Sequence, residues 1–193
     1  MILAGGKSIR MGQDKAFLEV DGVPIILRVF AMLDQLFAET IVVANKKEPY
    51  VGLKIPLYTD LLPGQGALGG LYTGLMHSAF PYAFCVACDM PFLNRMVIEY
   101  LITRIEHYDA VVPRTSDGLQ PLHAVYSKKC LEPIRRLLDL KGSKIMDFYP
   151  QIRLRLVDER EFLPLDPEKR SFTNVNTPEE LQMLQTKRDR TLR

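Results

Sequence analysis

The sequence has no long apolar run and almost no excess of either charge. A membrane-spanning helix needs about 20 consecutive apolar residues, and no hydrophobic stretch approaches that length. No basic segment followed by an apolar one opens the chain, so no signal peptide is expected. The formal net charge is only +2 at pH 7. Nucleic-acid-binding domains usually carry a strong basic patch, so neither a membrane nor a nucleic acid is expected as a partner.

Cysteine and histidine are also scarce, with three residues of each. An odd number of cysteines does not make a disulfide framework, and the cytoplasm is the expected compartment. Cys85 and Cys88 form C-x-x-C in a predicted strand, where residues three apart face opposite sides, so core packing is predicted rather than a metal site. The histidines lack metal-ligand spacing. For His123, core packing and a substrate contact both remain open.

The 193 residues are predicted to form a single domain, 1–193, with an ordinary content of 47% hydrophobic and 25% charged residues. Stretches typical of strands and helices alternate along the chain. Predicted strands are 1–4, 40–45, 55–60, 82–89, 109–113, 121–127 and 152–159, and predicted helices are 24–37, 66–80, 94–108, 128–140 and 177–190. The alternation predicts an α/β fold with a mainly parallel sheet covered on both faces, in which strand 121–127 is antiparallel.

Ligands of such folds bind beyond the carboxyl ends of the parallel strands. The residues that follow the predicted strands are Gly5, Gly6, Asn45, Asp60, Asp89 and Arg114. We therefore expect a glycine turn, two carboxylates and two other polar residues to share one edge of the sheet.

The loop after the first strand is suited to phosphate. Within "LAGGKSIRMGQDKAFL" (residues 3–18), Gly5 and Gly6 let backbone N–H groups approach an anion. Arg10 offers a planar fork for phosphate oxygens, and Lys15 offers a point charge. The spacing is not that of a P-loop, and Gly64-x-Gly66-x-x-Gly69 follows "LLP" rather than a strand. A tight turn with solvated cations is the alternative.

Two further segments carry metal-binding or polar groups. Asp89, in "CDMP" (88–91), ends a predicted buried strand, and one carboxylate with phosphate oxygens suits Mg²⁺. Asn174 and Asn176 are one residue apart, so both face the same side of an extended segment. A loop aspartate and turn chemistry before a capped helix are the alternatives.

Five segments together resemble the molybdenum cofactor guanylyltransferases, a branch of the nucleotidyltransferases. They are "LAGGKSIRMGQDKAFL", "GALGGL", "CDMPFL", "QPLHAVY" and "FTNVNTPEEL", and they extend from Leu3 to about Leu184. The resemblance implies a Rossmann-like, three-layer α/β/α fold with a mixed, mainly parallel sheet, similar to the nucleotide-diphospho-sugar transferases. It implies transfer of GMP from GTP to molybdenum-bearing molybdopterin, with release of pyrophosphate. Members of this family often have Gly-Pro-Leu where this chain has Gly66-Ala67-Leu68.

The resemblance also implies roles for individual residues. Those matching the GTP site are Leu3, Ala4, Gly5, Lys15, Asn45, Asp60 and Asp89, with Asp60 contacting the base. Asp89 matches the Mg²⁺ ligand, and Arg10, Lys15 and Asp89 are the expected catalytic residues. Asn174 and Asn176 match positions linked to the pterin substrate or the metal region.

GTP and molybdopterin are the implied substrates, and proteins that insert or accept the cofactor are candidate partners of an expected monomer. Three other functions remain open. A cytidylyltransferase acting on the same pterin is the nearest, although "LAGG" resembles the guanine branch. A GTP-binding protein without catalytic activity in cofactor delivery is another. A sugar-1-phosphate nucleotidyltransferase is the third, although the usual extra length is missing.

Overall fold

The computed structural model describes residues 1–4, 15–177 and 179–183. The strands are β1 (Ile2–Leu3), β2 (Glu19–Val20), β3 (Val23–Pro24), β4 (Val42–Ala44), β5 (Leu57–Thr59), β6 (Tyr82–Ala87), β7 (Ala110–Thr115), β8 (Gly118–Leu119), β9 (His123–Ser127) and β10 (Leu154–Asp158). The helices are α1 (Ile25–Asp34), α2 (Gly66–His77), α3 (Arg95–Thr103), α4 (Leu131–Asp139) and α5 (Glu159–Phe162). None of these helices combines the length and hydrophobicity that crossing a bilayer requires.

Within the described residues, one mixed sheet has the strand order β10-β7-β9-β6-β1-β4-β5, and β8 pairs with β7. The β1 strand lies between β4 and β6 and is parallel to both. The pairs β4–β5 and β7–β10 are also parallel. The β9 strand is antiparallel to both of its neighbours, β6 and β7. This confirms the predicted mixed, mainly parallel sheet, including the antiparallel strand within 121–127.

Two apolar clusters cover the two faces of the sheet. On one face, α1 and α3 pack on Ile2, Val42 and Val86. On the other face, α2 and α4 pack on their neighbours Leu3 and Val43. Neighbouring residues of a strand point to opposite faces, so even the two-residue β1 contributes to both clusters. The result is the predicted three-layer α/β/α arrangement.

The cysteine pair follows the same division between faces. Cys85 lies in the cluster under α2 and α4, while Cys88 packs against the cluster under α1 and α3. Both cysteines, and Cys130, are free thiols. The two cysteines of the C-x-x-C segment therefore lie on opposite sides of the sheet, as their spacing predicts.

Local signals at two helix starts operate as expected. The Asn94 side chain accepts a hydrogen bond from the Met96 backbone N–H at 2.9 Å, which caps α3. Pro133 is the third residue of α4, within the first turn, where a backbone N–H has no partner inside the helix. Pro133 therefore lies at the start of α4, where a helix tolerates proline.

His123 is fully buried at the beginning of β9, between aromatic rings. Its ring centroid lies 5.1 Å from that of Phe84 and 4.6 Å from that of Phe172. No hydrogen bond of ordinary geometry reaches either ring nitrogen from the described residues. Burial lowers the pKa of His123 to about 3, although the nearby backbone of Ser171 weakly favours the protonated form. His123 is thus a neutral core residue and not a substrate contact.

This burial predicts a specific loss of stability in acid. The unfolded chain takes up a proton on His123 below its ordinary pKa of 6.5, whereas the folded chain does so only near 3. The free energy of unfolding therefore falls as the pH drops below 6.5, by up to about 1.4 kcal/mol per pH unit. His123→Leu should remove this component, as measured by urea denaturation between about pH 7 and pH 5. His77→Leu, at a half-buried ring stacked on Tyr58, is the control. An unchanged pH dependence in His123→Leu would contradict the prediction.

Candidate active site

The polar residues that follow β4, β5 and β6 lie at the edge of the sheet where β1 also ends, because these strands are parallel. Leu3, Asn45, Asp60 and Gly70 line a narrow cleft at this edge. Ala4 continues β1 through a hydrogen bond from its N–H to the Val43 carbonyl at 2.8 Å. Gly5 and Arg10, the other predicted members of the nucleotide loop, lie outside the described residues.

Arg114 lies at the same edge of the sheet, as expected, because β7 and β6 are both antiparallel to β9 and so run in one direction, but it lies apart from this group. Its strand, β7, is separated from β6 by β9. The Arg114 guanidinium instead donates to Asp158 Oδ2 of β10 at 2.9 Å. The parallel pairing of β7 with β10 brings these two residues together, so Arg114 is occupied within the far part of the sheet.

The two carboxylate oxygens of Asp60 differ in their hydrogen bonds. Its Oδ1 accepts hydrogen bonds from the Leu62 backbone N–H at 2.9 Å and from Thr73 Oγ1 at 2.8 Å. Thr73 Oγ1 in turn accepts from the Leu61 N–H at 3.0 Å. Within the described residues, Oδ2 accepts no hydrogen bond. Oδ2 is therefore the oxygen with capacity to accept from a ligand, whereas Oδ1 fixes the turn between β5 and α2.

Two glycines allow α2 to approach this turn. A Cβ atom on Gly69 would lie 2.9 Å from the Leu62 carbonyl oxygen and 3.3 Å from Asp60 Oδ2. A Cβ on Gly70 would lie 3.4 Å from Leu3 Cδ1. The small residues of "GALGGL" predict close packing on one side of a helix, and the structure shows that the packed partner is the Asp60 turn. The role of Thr73 carries no comparable sequence signal.

Asp89 presents a carboxylate oxygen that is shielded from solvent and has no hydrogen-bond partner in the part of the chain that the structure describes. Burial raises the pKa of Asp89 above its ordinary value, and the charge of nearby Lys15 partly offsets the rise. A buried, unpartnered carboxylate oxygen is unfavourable unless a cation or donor reaches it. The arrangement is therefore suited to a cation that arrives with a ligand.

The residues around Asp89 fit a Mg²⁺ ion better than a metal held by protein ligands alone. No group of three or more histidine, cysteine, aspartate or glutamate residues that could hold a metal occurs among the described residues. Mg²⁺ commonly binds through one or two carboxylates and completes its coordination with substrate phosphates and water. One carboxylate at this edge of the sheet satisfies that requirement.

Lys15 and Asp89 are linked by two consecutive residues of the segment 173–177. The Val175 backbone N–H donates to the Asp89 carbonyl oxygen at 2.8 Å. The Lys15 ammonium donates to Asn176 Oδ1 at 2.5 Å. Val175 is fully buried, whereas Asn174 and Asn176 are exposed on the other side of the segment. Segment 173–177 thus places the cation of Lys15 beside the loop that carries Asp89.

The turn after Asn176 differs slightly from a standard capping box. The Glu180 N–H donates to Thr177 Oγ1 at 3.2 Å, as expected for an N-cap at Thr177. The Glu180 carboxylate, however, accepts from the Asn176 N–H at 2.7 Å, one residue earlier than in the usual box. Pro178, predicted for the first helical position, lies outside the described residues. Glu180 consequently fixes the backbone of Asn176 itself.

Together these residues form a site with two parts. Asp60, Asn45 and Leu3 line a narrow cleft that presents a carboxylate and an amide at the edge of the sheet. Lys15, Asp89 and Asn176 provide a cation, a buried carboxylate and an amide where phosphates and a metal ion can be held. A nucleotide with its metal ion satisfies both parts, and bringing anions together at such a site depends on positioning and electrostatics.

Comparisons with known proteins agree with this geometry. A sequence profile of the MobA-like NTP transferase domain matches residues 1–154. The chain is 42% identical over 184 residues to the molybdenum cofactor guanylyltransferase of Desulfosudis oleivorans, covering 94% of this chain and 91% of the relative. It is also 42% identical over 181 residues to a probable molybdenum cofactor guanylyltransferase of Pelotomaculum thermopropionicum, covering 94% of this chain and 88% of the relative.

A solved structure shows the same fold. The crystal structure of molybdopterin-guanine dinucleotide biosynthesis protein A from Archaeoglobus fulgidus matches with a TM-score of 0.82 and 26% identity, over 94% of both chains. The residues matched by the sequence profile include Lys15, Asp60 and Asp89. The chain therefore belongs to the family of proteins with a MobA-like NTP transferase domain.

Proposed function

We propose that this protein transfers GMP from GTP to molybdenum-bearing molybdopterin, giving the guanine dinucleotide form of the cofactor and pyrophosphate. The observation that carries the proposal is a buried Asp89 oxygen without a hydrogen-bond partner among the described residues, with the charge of Lys15 nearby at the carboxyl edge of the sheet. The relatives named as molybdenum cofactor guanylyltransferases, at 42% identity over nearly the whole chain, support this substrate pair.

Enzymes of this family generally use a divalent metal ion, and we propose that here it is Mg²⁺ held by Asp89. When bound, such an ion supplies positive charge to the phosphate oxygens. Asp89 provides the carboxylate, and the loop of Asp89 is held in place by the Val175 N–H. The single carboxylate leaves the remaining coordination positions to phosphate and water.

The other proposed roles concern charge and position. Lys15 binds phosphate oxygens of GTP. Arg10 and the backbone amides of Gly5 and Gly6 stabilise the departing pyrophosphate, and Leu3 and Ala4 border the nucleotide. Asn174 and Asn176 face the second substrate. The attacking phosphate of molybdopterin is ionised at neutral pH, so the reaction requires no strong base, and burial of His123 is compatible with that chemistry.

The base is recognised by Asp60 in this proposal. Guanine presents N1–H and N2–H donors, and a carboxylate is an acceptor only. Because Oδ1 is occupied by Leu62 and Thr73, Oδ2 accepts from guanine. Asn45, which lines the same cleft, contacts the guanosine alongside Asp60.

Several broader properties accompany the proposed function. We propose a single domain over residues 1–193, a monomer, and delivery of the product to proteins that insert or accept the cofactor. The reaction is assigned to the cytoplasm, since the three thiols are free and disulfides are rare in that compartment.

The direct test is to incubate the protein with Mg²⁺, molybdenum-bearing molybdopterin and each of the four ribonucleoside triphosphates separately. Pyrophosphate release and mass spectrometry of the pterin product are measured. GTP alone should give rapid release and the guanine dinucleotide. Preferential use of CTP would identify a cytidylyltransferase, and GTP binding without pyrophosphate release would identify a non-catalytic protein.

Asp89→Asn is expected to lower activity and raise stability together. Loss of the charge that holds the metal should reduce kcat by roughly 10² to 10³, by comparison with the removal of one preorganised electrostatic group. The raised pKa of Asp89 means that the ionised form is disfavoured by folding, so this residue reduces stability as pH rises above the ordinary carboxyl value of 3.8. The nucleotide-free variant should therefore melt at a higher temperature than the parent protein at pH 7.

The control is Glu106→Gln, which neutralises an exposed carboxylate in the turn after α3. It should change neither the turnover nor the melting temperature appreciably. Near-normal turnover of Asp89→Asn would refute the assigned role of Asp89. A lower melting temperature would refute the energetic argument alone.

Asp60→Asn should reduce GTP affinity while preserving the fold. An asparagine oxygen can keep both hydrogen bonds from Leu62 and Thr73, but its amide group replaces the acceptor Oδ2 with a donor. An unpaired guanine donor facing that amide should weaken GTP binding about 10-fold or more, measured by calorimetry with Mg²⁺. Thr73→Val is the comparison, because it disturbs the turn without altering Oδ2. Equal losses for GTP and CTP in Asp60→Asn would contradict base recognition.

A further inference from the structure

The Asn176 side chain contacts Lys15. This contact is not needed to hold the backbone of segment 173–177, and a contact with the second substrate would not require it. The backbone of the segment is already held at three points: Val175 N–H to the Asp89 carbonyl, Asn176 N–H to Glu180, and Glu180 N–H to Thr177. The Asn176 side chain adds nothing to these bonds. Its Oδ1 instead accepts from the Lys15 ammonium at 2.5 Å, across 161 positions of sequence.

The chemical type of this partner matters for the charge of Lys15. A lysine ammonium has three donors, so one bond to Asn176 leaves two for phosphate oxygens. An amide oxygen orients the ammonium and leaves its charge uncompensated, whereas a carboxylate would neutralise it. Lysine side chains also lose substantial rotamer entropy when they bind a ligand, and prior anchoring reduces that loss.

The same segment also fixes the position of the Lys15 ammonium relative to Asp89. Val175 bonds to the backbone of Asp89, and the next residue bonds to the side chain of Lys15. The separation of the cation from the metal-binding carboxylate is thereby fixed through one peptide unit. A triphosphate bound by both groups needs such a fixed separation.

We propose that Asn176 is a positioning residue that aims Lys15 at the phosphates of GTP. This inference rests on the proposed function and deepens it. It assigns the Asn176 side chain to the nucleotide half of the site, in addition to any contact with the pterin. Asn174, exposed two residues earlier on the same side of the segment, makes no hydrogen bond to Lys15 and has no such role.

A double-mutant cycle on GTP affinity tests the proposal. Calorimetry with Mg²⁺ and GTP, without the pterin, is applied to the parent protein, Asn176→Ala, Lys15→Met and the double variant. Asn176→Ala should weaken binding about threefold or more, the usual range for loss of one hydrogen bond to a charged group. In the Lys15→Met background the same change should have no further effect, since Asn176 acts through Lys15.

Placing a negative charge at position 176 gives a second, independent test. Asn176→Asp should weaken GTP binding about 10-fold or more, because the new carboxylate pairs with the ammonium and competes with phosphate. Asn174→Asp introduces the same charge two residues away and should have a clearly smaller effect. Circular dichroism and melting temperatures verify that each variant is folded.

The outcomes separate the inference from the proposed function. Additive effects of Asn176→Ala and Lys15→Met, or equal losses in Asn176→Asp and Asn174→Asp, overturn the positioning role while GTP binding by the parent protein still supports the function. No binding of GTP by the parent protein contradicts the proposed function itself. A change in the KM for molybdopterin without a change in GTP affinity also overturns the inference, because it assigns Asn176 to the pterin alone.

Discussion

The site depends on the parallel pairing of a two-residue strand with both of its neighbours. The β1 strand contributes only Ile2 and Leu3, yet it lies between β4 and β6 and matches them residue by residue. Because the three strands run in one direction, the turns after them open at one edge of the sheet. Because β9 is antiparallel to β6, its amino-terminal end lies at this edge of the sheet. The β9 strand also separates β7 and Arg114 from the nucleotide residues.

The two carboxylates of the candidate site differ in how well their buried oxygens are hydrogen-bonded. Asp60 is almost completely buried, and one of its oxygens holds two donors, so this carboxylate is part of the folded scaffold. Asp89 is the opposite case, since its buried oxygen lacks a partner and its charge is disfavoured by burial. Buried polar atoms without partners are uncommon in folded proteins, and each calls for an explanation. The contrast between the two carboxylates is consistent with the different roles proposed for them, recognition of a base by Asp60 and binding of a metal ion by Asp89.

Much of the fold and part of the site could be predicted from the sequence, because both follow from local patterns. Apolar runs such as "TIVVAN" and "YAFCVACD" mark buried strands, and polar residues after them mark the ligand edge. The spacing of Asn174 and Asn176 correctly predicts that both face one side of the segment, and the structure shows that this side is exposed while Val175 is buried. Such patterns depend only on neighbouring residues, so a single sequence contains them.

The remaining features could not be predicted because they depend on contacts between distant parts of the chain. Nothing local indicates that Thr73 bonds to Asp60, that Asn176 bonds to Lys15, or that Arg114 pairs with Asp158. For His123 the sequence leaves core packing and a substrate contact open, and the packing of Phe84 and Phe172 against it is seen only in the tertiary fold. The Glu180 carboxylate accepts from the N–H of Asn176 rather than from that of Thr177, because the reach of its side chain decides which backbone N–H it contacts.

The bond between Val175 and Asp89 has a consequence for how this site can vary in sequence. It runs from main chain to main chain, so the side chains at these two positions can change without breaking it. Proline at position 175 is the exception, because it has no N–H to donate. The alignment of segment 173–177 with the loop of Asp89 is therefore set by the main chain, whatever side chains the exposed positions 174 and 176 carry.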